Sequence, residues 1–452
     1  MLDNFDKNDR FADYVDLYDS LIVLSCVFIV EASNMRILII SQYYFPEQFQ
    51  INEIAPELVK RGHEVTVLCG VPNYPKGVVF DGYESRDGIN RKEREYFEQT
   101  GVRVIHVDQT PRGKNPLSLV RNYISFAKNS KKIVRQLEGD FDVVLGYQLS
   151  PITSMEAALE YKRLHGIPVV FYTLDIWPVS AEGLLKSKKN PLIIPINRLS
   201  KRIYRGADKI VVTSRPFIDY LHRVNGIPLE KMAYLPQHAG SDMLEMDLSK
   251  GEGQKSLAIG HESSASHSVD FMFAGNLGKG QRLDVIVKAA HILGRRKDYK
   301  IHFVGDGRMR GELENMVKEY GLQDNVVFYG NQKREDMPRF YKMADALLIT
   351  LRGNNEVGDT MPGKLQMYMT TGKPIFGAIN GAANEVIKEA QCGSCVKAGD
   401  YEGLANLMKL YIENPSGFEH CGQNARDYFM KHFTLDIYMD GLEKELESMA
   451  KG

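Results

Sequence analysis

No stretch of this 452-residue chain is apolar for long enough to span a bilayer: residues 21–30 form its one conspicuous hydrophobic run, about half of the ~20 residues that a membrane helix needs. Asp3, Asp6, Asp9, Asp13 and Asp16 outnumber Lys7 and Arg10 ahead of that run, the wrong sign for a secretory leader. Cysteine is scarce. Five in so long a chain make no disulfide framework and fit a reducing compartment. Cys392 and Cys395 have C-x-x-C spacing, but no second pair or nearby histidine cluster completes a zinc set, so buried inert thiols are expected. Net charge is also nearly absent, with 57 Lys and Arg against 58 Asp and Glu, which disfavours general nucleic-acid binding. H-E-x-x-H, G-x-S-x-G and a G-x-G-x-x-G after the opening strand are all missing. Metalloprotease, lipase-type hydrolase and dinucleotide oxidoreductase readings lose their support.

What is present is globular: 43% hydrophobic and 25% charged residues, in a length that predicts two large domains. The charge balance hides an asymmetry. Residues 35–236 carry 29 Lys and Arg against 21 Asp and Glu, and the remainder is correspondingly acidic. Short β-branched runs at 37–41, 64–68, 102–107, 143–145, 169–172 and 209–213 alternate with helical periodicity at 51–61 and 123–137. A second series at 268–273, 300–304, 326–328, 346–350, 374–376 and 394–396 repeats the theme. Two α/β, doubly wound parallel sheets are expected, facing an interdomain cleft with ligands at the carboxyl ends of the strands. The expected division is an extension outside the core at 1–34, a first domain at 35–240, a linker rich in Gly, Ser, Glu and Lys at 241–267, and a second domain at 268–432. A terminal helix at 433–452 is expected to pack back on the first domain.

The glycine-rich turns fall in the second half. Gly275-Asn276-Leu277-Gly278-Lys279-Gly280-Gln281-Arg282 follows a strand and precedes a helix, so free amides, a positive dipole end and two cations meet in one place, which suits a phosphate. Gly305-Asp306-Gly307 closes the next strand. The segment Gly358-Asp359-Thr360-Met361-Pro362-Gly363-Lys364-Leu365 reads as G-x-x-x-x-G-K but ends in Leu where a P-loop needs Ser or Thr, which argues against an ATPase. Its glycines, Pro362 in the first helical turn and Lys364 can still cradle a diphosphate.

Taken in order, Tyr43-Tyr44-Phe45-Pro46-Glu47, Arg61-Gly62-His63-Glu64-Val65, the 273–278 turn, Val304-Gly305-Asp306-Gly307, Val327-Phe328-Tyr329-Gly330, residues 340–346 and residues 362–374 resemble the family-4 glycosyltransferases of the GT-B fold, most of all those of bacterial capsular and exopolysaccharide assembly. The resemblance implies retaining transfer of a sugar from a nucleotide diphosphate-sugar, a UDP-sugar, with no cofactor and no catalytic metal. It places the donor on Gly275, Asn276, Lys279, Arg282, Gly305, Gly307, Asp359, Thr360, Pro362, Gly363 and Lys364, with Lys279 and Arg282 stabilising the leaving diphosphate. Where the family has two glutamates eight positions apart, this chain has Asp359 and Met367, and a thioether cannot accept from ribose hydroxyls as a carboxylate does. Gln281 stands where the family often has Lys.

Acceptor candidates lie in the basic half: Asn52, Tyr147, Gln148, Asp175, Trp177 and His238, with Asp175 a catalytic candidate for positioning or deprotonating the acceptor hydroxyl and the lone Trp a platform for a sugar ring. Residues 112–135 hold seven Lys and Arg and no acid, interleaved with Leu117, Leu119, Tyr123, Ile124 and Phe126. A second such stretch runs from Lys186 to Arg205. Basic amphipathic surface of this kind favours an anionic membrane. The expected partners are therefore a nucleotide-sugar, an undecaprenyl-diphosphate-linked acceptor and the inner face of the cell membrane, for an otherwise cytoplasmic protein without nucleic acid. A nucleotide-sugar epimerase of the same fold, or a non-catalytic nucleotide-sugar binder, is the alternative.

Overall fold

The computed structural model describes residues 34–113, 115–138, 140–179, 193–239, 268–353 and 361–450. The 241–267 linker, Lys186, Lys188, Lys189, Asp359, Thr360 and nearly all of the 1–34 extension lie outside them. The first domain runs β1 (Arg36–Ile40), α1 (Ile51–Lys60), β2 (Glu64–Gly70), α2 (Arg86–Thr100), β3 (Arg103–Val107), α3 (Pro116–Val134), β4 (Val143–Gln148), α4 (Glu156–His165), β5 (Val169–Thr173), α5 (Ile193–Gly206), β6 (Lys209–Val212), α6 (Arg215–Tyr220) and β7 (Met232–Tyr234). All seven strands are parallel, in the order β3-β2-β1-β4-β5-β6-β7. The strands are buried on both faces, which is why they read as unbroken apolar runs and not as alternation. Gly62, at φ 98°, terminates α1 and turns the chain into β2.

The second domain runs β8 (Val269–Ala274), α7 (Asp284–Leu293), β9 (Tyr299–Val304), α8 (Arg310–Glu319), β10 (Val326–Gly330), α9 (Met337–Met343), β11 (Ala346–Thr350), α10 (Gly363–Thr370), β12 (Ile375–Ala378), α11 (Gly381–Glu389), β13 (Gly393–Val396), α12 (Tyr401–Glu413), α13 (Glu419–His432) and α14 (Leu435–Ala450). Its sheet is parallel in the order β10-β9-β8-β11-β12-β13. Strand order therefore reverses beside β1 in one sheet and beside β8 in the other, and those switch points open the crevices where ligands of such sheets bind.

Helix α14 belongs to the first domain by contact. Tyr438, Met439, Leu442 and Leu446 are buried in the same cluster as Ile37, Ile39, Tyr147 and Tyr172. Around that apolar seam Arg61 reaches Asp436, Asp440 and Glu443, His63 meets Glu443 at 2.9 Å, and Lys209 pairs with Glu445. The chain thus passes between the domains twice, and the two passages touch where the Ala239 N–H donates to the Phe433 carbonyl at 3.2 Å. Cys392 is buried and Cys395 nearly so, and burial pushes both thiols up to about 12.

Candidate functional site

At the second switch point the turn after β8 is pinned from below. The Arg352 N–H donates to the Gly280 carbonyl at 2.8 Å and the Thr350 hydroxyl to the Gln281 carbonyl at 2.6 Å, while Gly275 and Gly305 adopt φ of 136° and 138° so that the two turns can lie against each other. A Cβ on Gly305 would stand 2.0 Å from the Gly275 carbonyl, and one on Gly307 2.6 Å from Asn276 Oδ1. These glycines are required by the protein itself. Gly280 and Gly363 are not: among the described residues a Cβ on either meets no atom within 4 Å, and neither has a positive φ. Both flank open space with bare backbone, the arrangement that lets a phosphate come close to main-chain amides.

Lys364 fills the floor of this space. Its Nζ donates to Gln281 Oε1 at 2.6 Å and lies 3.9 Å from the centre of the Phe273 ring. Loss of hydration lowers its pKa to about 7, and among the described residues no carboxylate pairs with it. Arg282 is placed differently. Held at φ 50°, it directs its guanidinium onto Asp284 through two hydrogen bonds of 2.9 and 3.1 Å, so its charge is already paired. Lys279 and Asn276 are exposed on the turn. The Met367 thioether accepts from the Tyr341 hydroxyl at 3.2 Å, which turns it into the packing of its own domain.

At the first switch point several acceptor candidates are interior residues. Trp177 is buried in the core and donates its indole N–H to Ser150 Oγ at 2.7 Å, so it is no sugar platform. Tyr147 is buried under α14. Gln148 is fully buried and donates to the Asp175 carbonyl at 2.9 Å, fixing the strand end that carries Asp175, which is itself half-buried. His238 is buried at the domain junction, its Nε2 at 3.1 Å from Glu53. These four sit beside the site and support it without lining it; adjacency in sequence to a strand end could not separate the two cases. Asn52 is half-buried, its amide donating to the Glu47 carbonyl at 2.6 Å.

Half-buried rings stand here instead, Phe49 and Tyr74, packed over the buried Tyr43. Tyr43, Phe49 and Tyr74 form a mutual cluster with each pair of centres 5.3 Å apart, and the Arg112 guanidinium lies 5.3 Å from the Tyr74 centre and donates to the Tyr43 hydroxyl at 2.9 Å. Glu47 sits behind them. Its carboxylate accepts from the Asn73 and Tyr74 amides, both at 2.7 Å, and burial raises its pKa to about 7.

A relay of amides joins the two halves of the cleft. Gln366, on the helix of Lys364, donates to the Gln237 carbonyl, Gln237 donates to Gln50, and Gln50 donates to the His238 carbonyl at 2.6 Å.

Two parallel sheets joined at such a hinge, with an amide-rich turn and a cation at the second switch point, have the GT-B architecture. The glycosyl transferase 4-like domain matches residues 48–238 and the glycosyl transferases group 1 family matches residues 261–428. The chain belongs to this glycosyltransferase family and is a sugar-transferring enzyme. It is 25% identical over 362 residues, 75% of this chain and 82% of its relative, to Escherichia coli WcaI, which is named as a glycosyl transferase of colanic acid biosynthesis. Among solved structures it resembles a Rickettsia africae glycosyltransferase (TM-score 0.65, 15% identity, 93% of this chain and 100% of the other). It also resembles Anabaena HepE in complex with UDP and glucose (TM-score 0.61, 16% identity, 92% and 100%).

Proposed function

We propose that this enzyme transfers a sugar, with retention, from a UDP-sugar to a lipid-linked glycan acceptor of bacterial surface polysaccharide synthesis, working at the inner face of the membrane and without a metal or cofactor. The observation that carries this reading is Lys364, a half-buried ammonium without a carboxylate partner among the described residues, set under bare backbone at Gly275, Gly280 and Gly363. A departing nucleoside diphosphate develops charge that oriented amides and a preset cation stabilise. Pro362, Lys279 and Asn276 border the same space, and Asp359 and Thr360 precede it in sequence. The UDP in the HepE structure supports the nucleotide, and the name of WcaI supports the polysaccharide setting.

The membrane part rests on α3. Leu117, Val120 and Ile124 follow one another along the helix, 74%, 46% and 59% exposed, with Arg121, Lys128 and Lys132 also exposed on it. Apolar side chains flanked by cations match an anionic bilayer surface. Among the described residues no helix is long and apolar enough to cross a membrane.

The deciding experiment offers the full chain a panel of nucleotide-sugars and follows binding by calorimetry, then supplies a membrane extract and identifies products. UDP release with a lengthened lipid-linked glycan establishes the transfer. An isomerised donor, or no nucleotide binding, removes it.

A further inference from the structure

Four elements distant in sequence bring one cation and four phenyl or phenol rings to the carboxyl edge of the first sheet. Tyr43 and Phe49 follow β1, Tyr74 follows β2, Arg112 follows β3, and Tyr123 comes from α3. The Arg112 guanidinium lies 5.3 Å from the Tyr74 ring centre and 6.0 Å from that of Tyr123, and its partners are the hydroxyls of Tyr43 and Tyr123. Among the described residues no carboxylate forms an ion pair with it. Glu47 senses its charge but turns one oxygen to the Asn73 and Tyr74 amides. Its backbone is fixed as well, the Arg112 N–H donating to Asn73 Oδ1 at 2.8 Å. A guanidinium has five donors in a planar fork, and phenols occupy only part of it. Half-buried, rigidly held and flanked by rings, the remaining fork matches a phosphate.

What lies on either side identifies the rest of the ligand. Towards the cleft, the Tyr123 phenol senses the charge of Asp175, and Phe49 precedes the Gln50 of the amide relay to the helix of Lys364. Along the chain, three residues beyond Arg112, Asn115 caps α3 and the exposed Leu117, Val120 and Ile124 begin. An anion site flanked by rings, joined to the cleft through Gln50 and followed along the chain by an exposed apolar stripe on α3, fits a molecule that is sugar, phosphate and lipid in that order. We infer that Arg112, with Tyr43 and Tyr123, binds the phosphate of a lipid-phosphate-linked acceptor, while Phe49 and Tyr74 stack on its sugar. This rests on the transferase reading above and names the residues that select its acceptor.

Farnesyl diphosphate, inorganic pyrophosphate and farnesol serve as probes in calorimetry on the full chain, with UDP saturating so that the Lys364 site is filled. Farnesyl diphosphate is expected to bind, pyrophosphate more weakly and farnesol not measurably. Arg112→Ala is expected to weaken farnesyl diphosphate by about 10- to 100-fold, as for loss of charge-assisted hydrogen bonds. UDP affinity and melting temperature stay at the wild-type value. Arg112→Lys, which keeps the charge and loses the fork, and Tyr43→Phe are expected to show smaller losses, and they carry the test should Arg112→Ala not fold. Farnesyl diphosphate affinity unchanged in a folded Arg112 variant overturns the inference, as does pyrophosphate binding as tightly as its farnesyl ester. Failure of UDP to bind strikes the donor reading instead; the titrations are then run without it on Lys364→Met, where loss at Arg112 still decides the acceptor site.

Discussion

The two carboxyl edges that face each other across the cleft are built from different materials. In the second domain the surface is backbone: glycines at 275, 280 and 363, carbonyls pinned by Arg352 and Thr350, and one lysine beneath. In the first domain it is side chains, Phe49, Tyr74 and Arg112 packed against the buried Tyr43, with polar atoms of Asn73 and Glu47 fixing their loops. Backbone amides recognise a diphosphate whatever sugar or base it carries, and they change little when a residue is substituted. Side chains can be exchanged one at a time, so the edge made of them is the one on which a different partner can be selected.

The largest effect that would break this contrast is at Lys364. Lys364→Met is expected to reduce turnover by about 100- to 1000-fold, the range for removing one stabiliser of developing negative charge, roughly 3–4 kcal/mol. Its melting temperature should match or exceed that of the wild type, because a poorly hydrated ammonium is removed. Steady-state rates and a thermal melt check both; wild-type turnover would leave the backbone edge without a cation.

The pH dependence comes next. Lys364 has a pKa of about 7 without ligand, so it is charged below that pH and neutral above it. UDP affinity is therefore expected to fall as pH rises from 7, by up to about tenfold per unit, with proton uptake on binding. Calorimetry in buffers of different ionisation enthalpy measures that uptake. The stability effect has the opposite sense. Between pH 7 and the ordinary lysine value the unfolded chain holds this proton and the native state does not, so the contribution of Lys364 to the unfolding free energy rises with pH.

Gly363→Ala separates structure from ligand. A methyl there meets no atom of the described residues within 4 Å and improves helix propensity, so folding should be neutral or more stable by about 0.5–1 kcal/mol. UDP affinity should nevertheless drop by roughly tenfold, because the methyl occupies the approach to the amides. Smallest is the effect of Leu117→Ser with Ile124→Ser: flotation with anionic vesicles should decrease severalfold while UDP binding is untouched.

Much of the architecture was legible because both sheets are parallel and buried on both faces, which leaves each strand as an apolar run between turn residues. The three-residue β7 escaped, being short and only partly buried. The glycine turns and Lys364 were visible as local motifs. Arg112 was visible only as one cation in a basic stretch, since Tyr43, Phe49 and Tyr74, which set it apart, come from two other segments. Trp177 shows the converse error: a ring next to an acid at a strand end looks like a sugar platform until packing turns it inward onto Ser150. Arg282 and Lys364 were equally plausible as free cations, and the short-range pairing with Asp284 separates them.

The contact between Ala239 and Phe433 has a mechanical consequence. Two strands of covalent chain clamped side by side act like a pair of door pins, confining the lobes to swing about one line while resisting slide and twist. Deleting residues 435–452 would do more than uncover an apolar face: it would draw one pin, and the lobes should then sample orientations that small-angle scattering can register as a broader distribution of sizes.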